Sequence, residues 1–178
     1  SDIFFAALNI NNILFEDNSF TCATKYPFAH RPMGIFLADV VARIQASCTA
    51  LDAYGNCIGT LGSGNSFSNL SYGVNAIYTP AKAGLQMVIS QNTFDNNGRG
   101  AAIFSSNGPS INRNTFKVPG NTNSFAYPMG VQMEGCQSYA LEGNSFTKCS
   151  GCTVDPPNST GIVINNLGGN DEKVRKNT

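Results

Sequence analysis

Ile89-Ser90-Gln91-Asn92-Thr93-Phe94 is followed 22 residues later by Ile111-Asn112-Arg113-Asn114-Thr115-Phe116, and Gly100-Ala101-Ala102-Ile103 lies between them. One phrase, Asn then Ser or Thr then Phe, is repeated with an apolar residue three positions ahead of the Asn. The same phrase stands at Asn18-Ser19-Phe20, Asn65-Ser66-Phe67 and Asn144-Ser145-Phe146, the Asn65 copy departing with Gly62 at the apolar position and Leu61 beside it. A second phrase, Gly followed by alternating apolar residues, comes after each copy of the first. It reads Gly34-Ile35-Phe36-Leu37, Gly73-Val74-Asn75-Ala76, Gly130-Val131-Gln132-Met133 and Gly161-Ile162-Val163-Ile164 in the other units. Two phrases kept in order through five units mark an internal repeat.

The ladder asparagines are spaced by 47, 27, 22 and 30 residues. The shortest unit has no room for two helices with turns, but fits two or three short strands. The Gly-led phrase alternates with period two, as a strand does with one buried face. Ile35 and Leu37, Val74 and Ala76, Ala101 and Ile103, Val131 and Met133, Ile162 and Ile164 are therefore expected to point inward. Coils stacked about 4.8 Å apart set identical side chains above one another. Asn18, Asn65, Asn92, Asn114 and Asn144 then form an amide ladder at a corner, where Asn also tolerates a left-handed backbone. Phe20, Phe67, Phe94, Phe116 and Phe146 form an offset stack. Glycine is expected to mark the bend into the next strand.

The rest of the composition agrees. The chain has 178 residues, 42% of them apolar and only 12% charged, with 11 basic and 11 acidic groups. Asn alone occurs 22 times. The charge balance argues against nucleic-acid binding, and the charge scarcity against a long coiled coil. The chain contains no apolar run of about 18 residues, so direct membrane insertion is not expected.

Gly161-Ile162-Val163-Ile164-Asn165-Asn166 followed by Asn177-Thr178, and the segment Gly135-Cys136-Gln137-Ser138-Tyr139-Ala140-Leu141-Glu142-Gly143-Asn144-Ser145-Phe146, resemble the repeats of the pectin-lyase-like superfamily. More narrowly, they are similar to the Asn-rich β-helix regions of large Bacteroidetes surface proteins secreted by the type IX system. The resemblance implies an all-β fold, a right-handed parallel β-helix solenoid of about five to six coils over residues 1–178. It implies an extracellular, cell-surface setting. Neither end reads as a capping repeat, so an uncapped fragment of a longer chain is expected.

Unit lengths vary at four insertions, 21–33, 38–61, 117–129 and 147–160. Lengthened loops on a fixed scaffold are where function concentrates. Tyr26, His30, Phe125 and Tyr127 are the candidate ligand-binding residues, and Pro32-Met33-Gly34 and Pro128-Met129-Gly130 give two insertions a shared return. Cys48 and Cys57 lie in one insertion and are the leading disulfide candidates; Cys149 and Cys152 form a lone C-x-x-C. With one histidine and no second pair, no metal site is expected, and no cofactor.

A glycosidase needs two converging carboxyl groups. The column following the apolar residue before each Asn reads Glu16, Ser63, Ser90, Asn112, Glu142 and Arg175, with Glu142 and Arg175 as a surface ion pair. The column four residues past the glycine reads Ala38, Ile77, Phe104, Glu134 and Asn165, with Ile77 and Phe104 exposed. Neither column sets acids on adjacent coils. Asp95 and Arg99 flank a tight corner and are expected to be solvated. No catalytic residue is therefore assigned. The reading is a non-catalytic segment of a large secreted β-helix protein: a stalk, adhesin or glycan-binding surface. The alternative is part of a polysaccharide lyase or glycoside hydrolase. The partners expected are a glycan or cell-surface protein, together with the remainder of the longer chain or its secretion machinery.

Overall fold

The computed structural model describes residues 2–24, 26–27, 30–53, 57–84, 86–120, 127–149, 152, 159–165 and 172–178. The first coil holds β1 (Ile3–Leu8), β2 (Ile13–Glu16) and β3 (Ser19–Thr21), and the second β4 (Met33–Ala38), β5 (Ala42–Gln45) and β6 (Ser66–Ser68). The third holds β7 (Tyr72–Ile77), β8 (Met87–Ser90) and β9 (Thr93–Asp95), and the fourth β10 (Arg99–Phe104), β11 (Ser110–Asn112) and β12 (Thr115–Val118). The fifth holds β13 (Met129–Glu134), β14 (Ala140–Glu142) and β15 (Ser145–Lys148), and the last β16 (Thr160–Asn165) and β17 (Lys173–Arg175). Each strand pairs in parallel with its counterpart one coil away, giving two six-stranded sheets and one five-stranded sheet. The fold is a right-handed parallel β-helix, the hand that parallel crossovers adopt.

The register makes the columns. Ile35, Val74, Ala101, Val131 and Ile162 are successive partners, as are Leu37, Ala76, Ile103, Met133 and Ile164. All are fully buried except Ile162 and Ile164, which pack half-buried on the core. The five phenylalanine rings stack nearly parallel, with centroids 5.1, 4.8, 4.7 and 5.0 Å apart along the axis.

Three expectations need correction. The left-handed residue at the ladder corner is the one before the asparagine. Asp17, Gly64, Gln91, Arg113, Gly143 and Lys176 have φ between 52° and 74° there. The asparagine can then turn its amide inward and bond along the axis. The repeated glycine is required by close approach rather than by a left-handed bend. A Cβ on Gly100 would lie 2.5 Å from the Gly130 carbonyl oxygen and 2.7 Å from the Phe116 ring. The segment 38–61 is not one insertion, because β5 lies within it. Ile44 pairs with Phe15 and Ile89, and Gln45 occupies the column position expected for Ser63. The excursion leaves only after Gln45 and returns at Asn65, because the apolar phrase Ala42-Arg43-Ile44 satisfies the core before the chain departs.

Candidate functional site

The residues Asn96, Asn97 and Gly98 form the turn between β9 and β10, and two insertions are tied to it. The turn itself is fixed from below. Asn97 Oδ1 accepts from the Leu70 N–H at 2.9 Å and its Nδ2 donates to the Phe67 carbonyl at 2.9 Å. Asn96 Nδ2 donates to Asn69 Oδ1 at 2.7 Å.

Arg31 ties down the first insertion. The residue is only 6% exposed. Nε donates to the Tyr26 carbonyl at 2.8 Å, Nη2 to the Thr24 carbonyl at 3.3 Å and Nη1 to the Asn96 carbonyl at 3.3 Å. Arg99 ties down the second. Nε donates to Gln132 Oε1 at 2.6 Å, and Nη1 donates to the carbonyls of Gly98 at 3.3 Å and Tyr127 at 3.0 Å. Burial lowers both guanidinium pKa values from the ordinary arginine range, and arginine retains its charge under any such shift. Arg99 is therefore a half-buried clamp, not the solvated corner residue expected. Its neighbour Asp95 forms an ion pair with Lys117 at 3.6 Å.

The two clamps tie the main chain at Tyr26 and at Tyr127 to the one turn, the tyrosine corner of the coil. The two tyrosines are 46% and 55% exposed, and the carbonyl of each accepts from a guanidinium group. Five-donor planar guanidinium groups suit this work, since each can satisfy several carbonyls at once. His30 lies in the same insertion, exposed, with its backbone N–H donating to the Pro27 carbonyl. Phe125 lies outside the described residues. Ile77 is exposed, and Phe104 is half-buried. The arginines carried no sequence signal of their own, although Arg31 and Tyr127 both precede the shared Pro-Met-Gly return.

Three acidic groups each engage a neighbouring side chain. Glu142 pairs with Arg175 at 2.8 Å, Glu134 accepts from Gln132 Nε2 at 2.5 Å and Glu16 accepts from Gln45 Nε2 at 3.2 Å. Among the described residues no three His, Cys, Asp or Glu side chains converge.

All the sulfur groups and the imidazole fall on described residues. Cys48 is disulfide-bonded to Cys57, and Cys149 to Cys152. Cys136 is fully buried; its Sγ donates to the Ile103 carbonyl at 3.4 Å, and burial pushes its thiol pKa up. Cys22 is half-buried and directs its Sγ to the Ala23 carbonyl at 3.7 Å. Met87 and Met133 are fully buried in the core, and Met33 Sδ accepts from Asn75 Nδ2 at 3.9 Å.

Residues 42–178 match a family model described as "NosD: Periplasmic copper-binding protein (NosD)". No curated protein and no solved structure matches the chain.

Proposed function

Since the chain belongs to the NosD family, we propose that it is a non-catalytic β-helix segment of a large secreted protein, and that its tyrosine corner binds glycan. The observation that carries this reading is the anchoring of Tyr26 and Tyr127 to residues 96–98 by Arg31 and Arg99. An aromatic ring offers a flat apolar face to the C–H face of a sugar, and its hydroxyl reaches a sugar hydroxyl. Fixing the main chain beneath each ring lowers the ordering cost of binding.

The setting is consistent with secretion. The family description is periplasmic, and two disulfides suit an oxidising compartment. A cell-surface adhesin role and export by a type IX system extend that reading. Glu142 and Glu134 each engage a neighbouring side chain, Arg175 and Gln132, which supports binding over turnover.

The test is a glycan array with neutral and uronate-containing chains, followed by titration of the best ligand. Binding that weakens by about tenfold or more in both Tyr26→Ala and Tyr127→Ala is expected. Absence of binding across the array, or binding indifferent to both changes, overturns the reading. Turnover that disappears in Glu134→Gln or Glu142→Gln would instead establish the lyase or hydrolase alternative.

A further inference from the structure

The family description names copper, and the donor groups of this chain do not fit it. Protein copper sites use thiolate, thioether and imidazole ligands, arranged two to four around the ion. The chain has six cysteines, four methionines and one histidine. The matched residues, 42–178, include no histidine. Four of the five cysteines in that stretch are consumed in the two disulfides, which leaves Cys136. Cys136 is sealed in the core, its Sγ engaged by a main-chain carbonyl and its pKa raised, so the thiolate that binds metal is disfavoured. Met87 and Met133 are also sealed in the core, on different coils and in different sheets. Met129 stands at the start of β13, in the outer column that also holds Arg99.

Outside the matched residues, Cys22, His30 and Met33 share one insertion. Cys22 directs its Sγ to the Ala23 carbonyl at 3.7 Å, and Met33 Sδ accepts from Asn75 Nδ2 at 3.9 Å. His30 is exposed and offers one nitrogen donor on a surface loop.

We infer that this chain shares the coil of the NosD family and has no preformed copper site. Its stacked core is built from hydrocarbon and amides, and its sulfur serves as packing or as cross-links. The coil and the metal chemistry in the family description are therefore separable properties.

The experiment uses the purified full chain with disulfides intact. It is mixed with Cu(I) under anaerobic ascorbate in the presence of bicinchoninate, and separately with Cu(II) sulfate in the presence of glycine. Copper in the protein fraction is measured after desalting, and the thermal midpoint is recorded with and without each ion. All copper is expected to stay with the competitor, and the midpoint to stay where it was, since an ion that binds the native state would raise it. Retention of one equivalent overturns the inference, as does a rise in midpoint abolished by Cys22→Ser, His30→Ala or Cys136→Ser. Glycan binding at the tyrosine corner is independent of either result.

Discussion

Asn92 donates both its backbone N–H and its Nδ2 to Asn114 Oδ1 on the next coil, at 3.0 and 3.1 Å. The second Nδ2 proton goes backward, with the Ile44 carbonyl of the preceding coil 2.8 Å away. One side chain thus links three coils. Asn65, Asn114 and Asn144 repeat the arrangement, and Asn177 receives it at the far end. The ladder asparagines from Asn65 to Asn144 are nearly or completely buried. An acid at the same place would lack the backward donor and would bury a charge, which explains why the ladder is built from amides.

Asn92→Ala should therefore be costly. It leaves the Asn65 backbone N–H without its acceptor and the Ile44 carbonyl without the Asn92 donor, while Asn65 Nδ2 keeps the Phe15 and Gln45 carbonyls. At about 1–3 kcal/mol for each unsatisfied buried group, a loss of about 2 kcal/mol or more is expected. Asn18→Ala should cost much less, because Asn18 is exposed and water replaces its partners. Urea denaturation of both variants measures the difference. Equal losses at the two positions would contradict the ladder as the source of stability.

Two glycines make a second contrast. Gly100→Ala sets a methyl group against the Gly130 carbonyl and the Phe116 ring, while an added Cβ at Gly84 meets nothing within 4 Å. The first change should destabilise by about 1–3 kcal/mol or more through overpacking. The second should be neutral or stabilise by about 0.4–1 kcal/mol through the unfolded chain. Thermal midpoints of the pair decide it, and a tolerated Gly100→Ala would show that the Phe stack yields more easily than its spacing implies.

The repeated Asn, Phe and Gly were legible in the sequence because stacking demands the same residue at the same height on every coil. That logic failed where the demand lapses. Five residue types share the six left-handed corner positions, since Asp17, Arg113 and Lys176 lie exposed at the surface. Coil two was misaligned because its excursion separates Ile44 from Asn65, positions that are three apart in the other coils. Counting back from Asn65 along the chain therefore points to Ser63 for the column position that Gln45 holds across the excursion. The arginine clamps were illegible for a different reason. Arg31 reaches Asn96 across 65 positions, and nothing local distinguishes such a residue from a solvated one.

Arg31→Met tests the clamp. The variant keeps much of the buried hydrocarbon but removes the donors to the Thr24, Tyr26 and Asn96 carbonyls. Charge-assisted hydrogen bonds are worth about 1.5–3 kcal/mol each when buried. Opening the insertion lets water satisfy the freed carbonyls, so the loss should be local. Amide exchange at Tyr26 and His30 should accelerate by about tenfold or more, while strands β7 and β10 keep their protection. Glycan affinity should fall with it. Unchanged exchange in the insertion would show that other contacts hold the tyrosine corner.

Alkaline pH should destabilise the coil through two buried groups of the core, Tyr78 and Cys136. Tyr78 is 3% exposed, and its hydroxyl donates to the Val40 carbonyl at 2.9 Å. Desolvation holds its pKa well above the usual tyrosine range, and the charges of Cys136 and Asp39 add to the effect. Desolvation likewise raises Cys136 above its ordinary value of 9.0. In both cases the unfolded chain releases the proton first. Their contribution to stability is therefore complete below the unfolded values, near 9 for the thiol and about 10 for the phenol, and is lost as pH rises toward the folded values. Urea midpoints taken from neutral pH to about pH 11 should fall above about pH 9. Tyr78→Phe should lower the neutral-pH stability by about 1–3 kcal/mol, because the Val40 carbonyl loses its donor, yet flatten the fall above about pH 10. Cys136→Ser should flatten the part that begins nearer pH 9. Parallel curves for all three proteins would mean that the alkaline loss arises elsewhere in the chain.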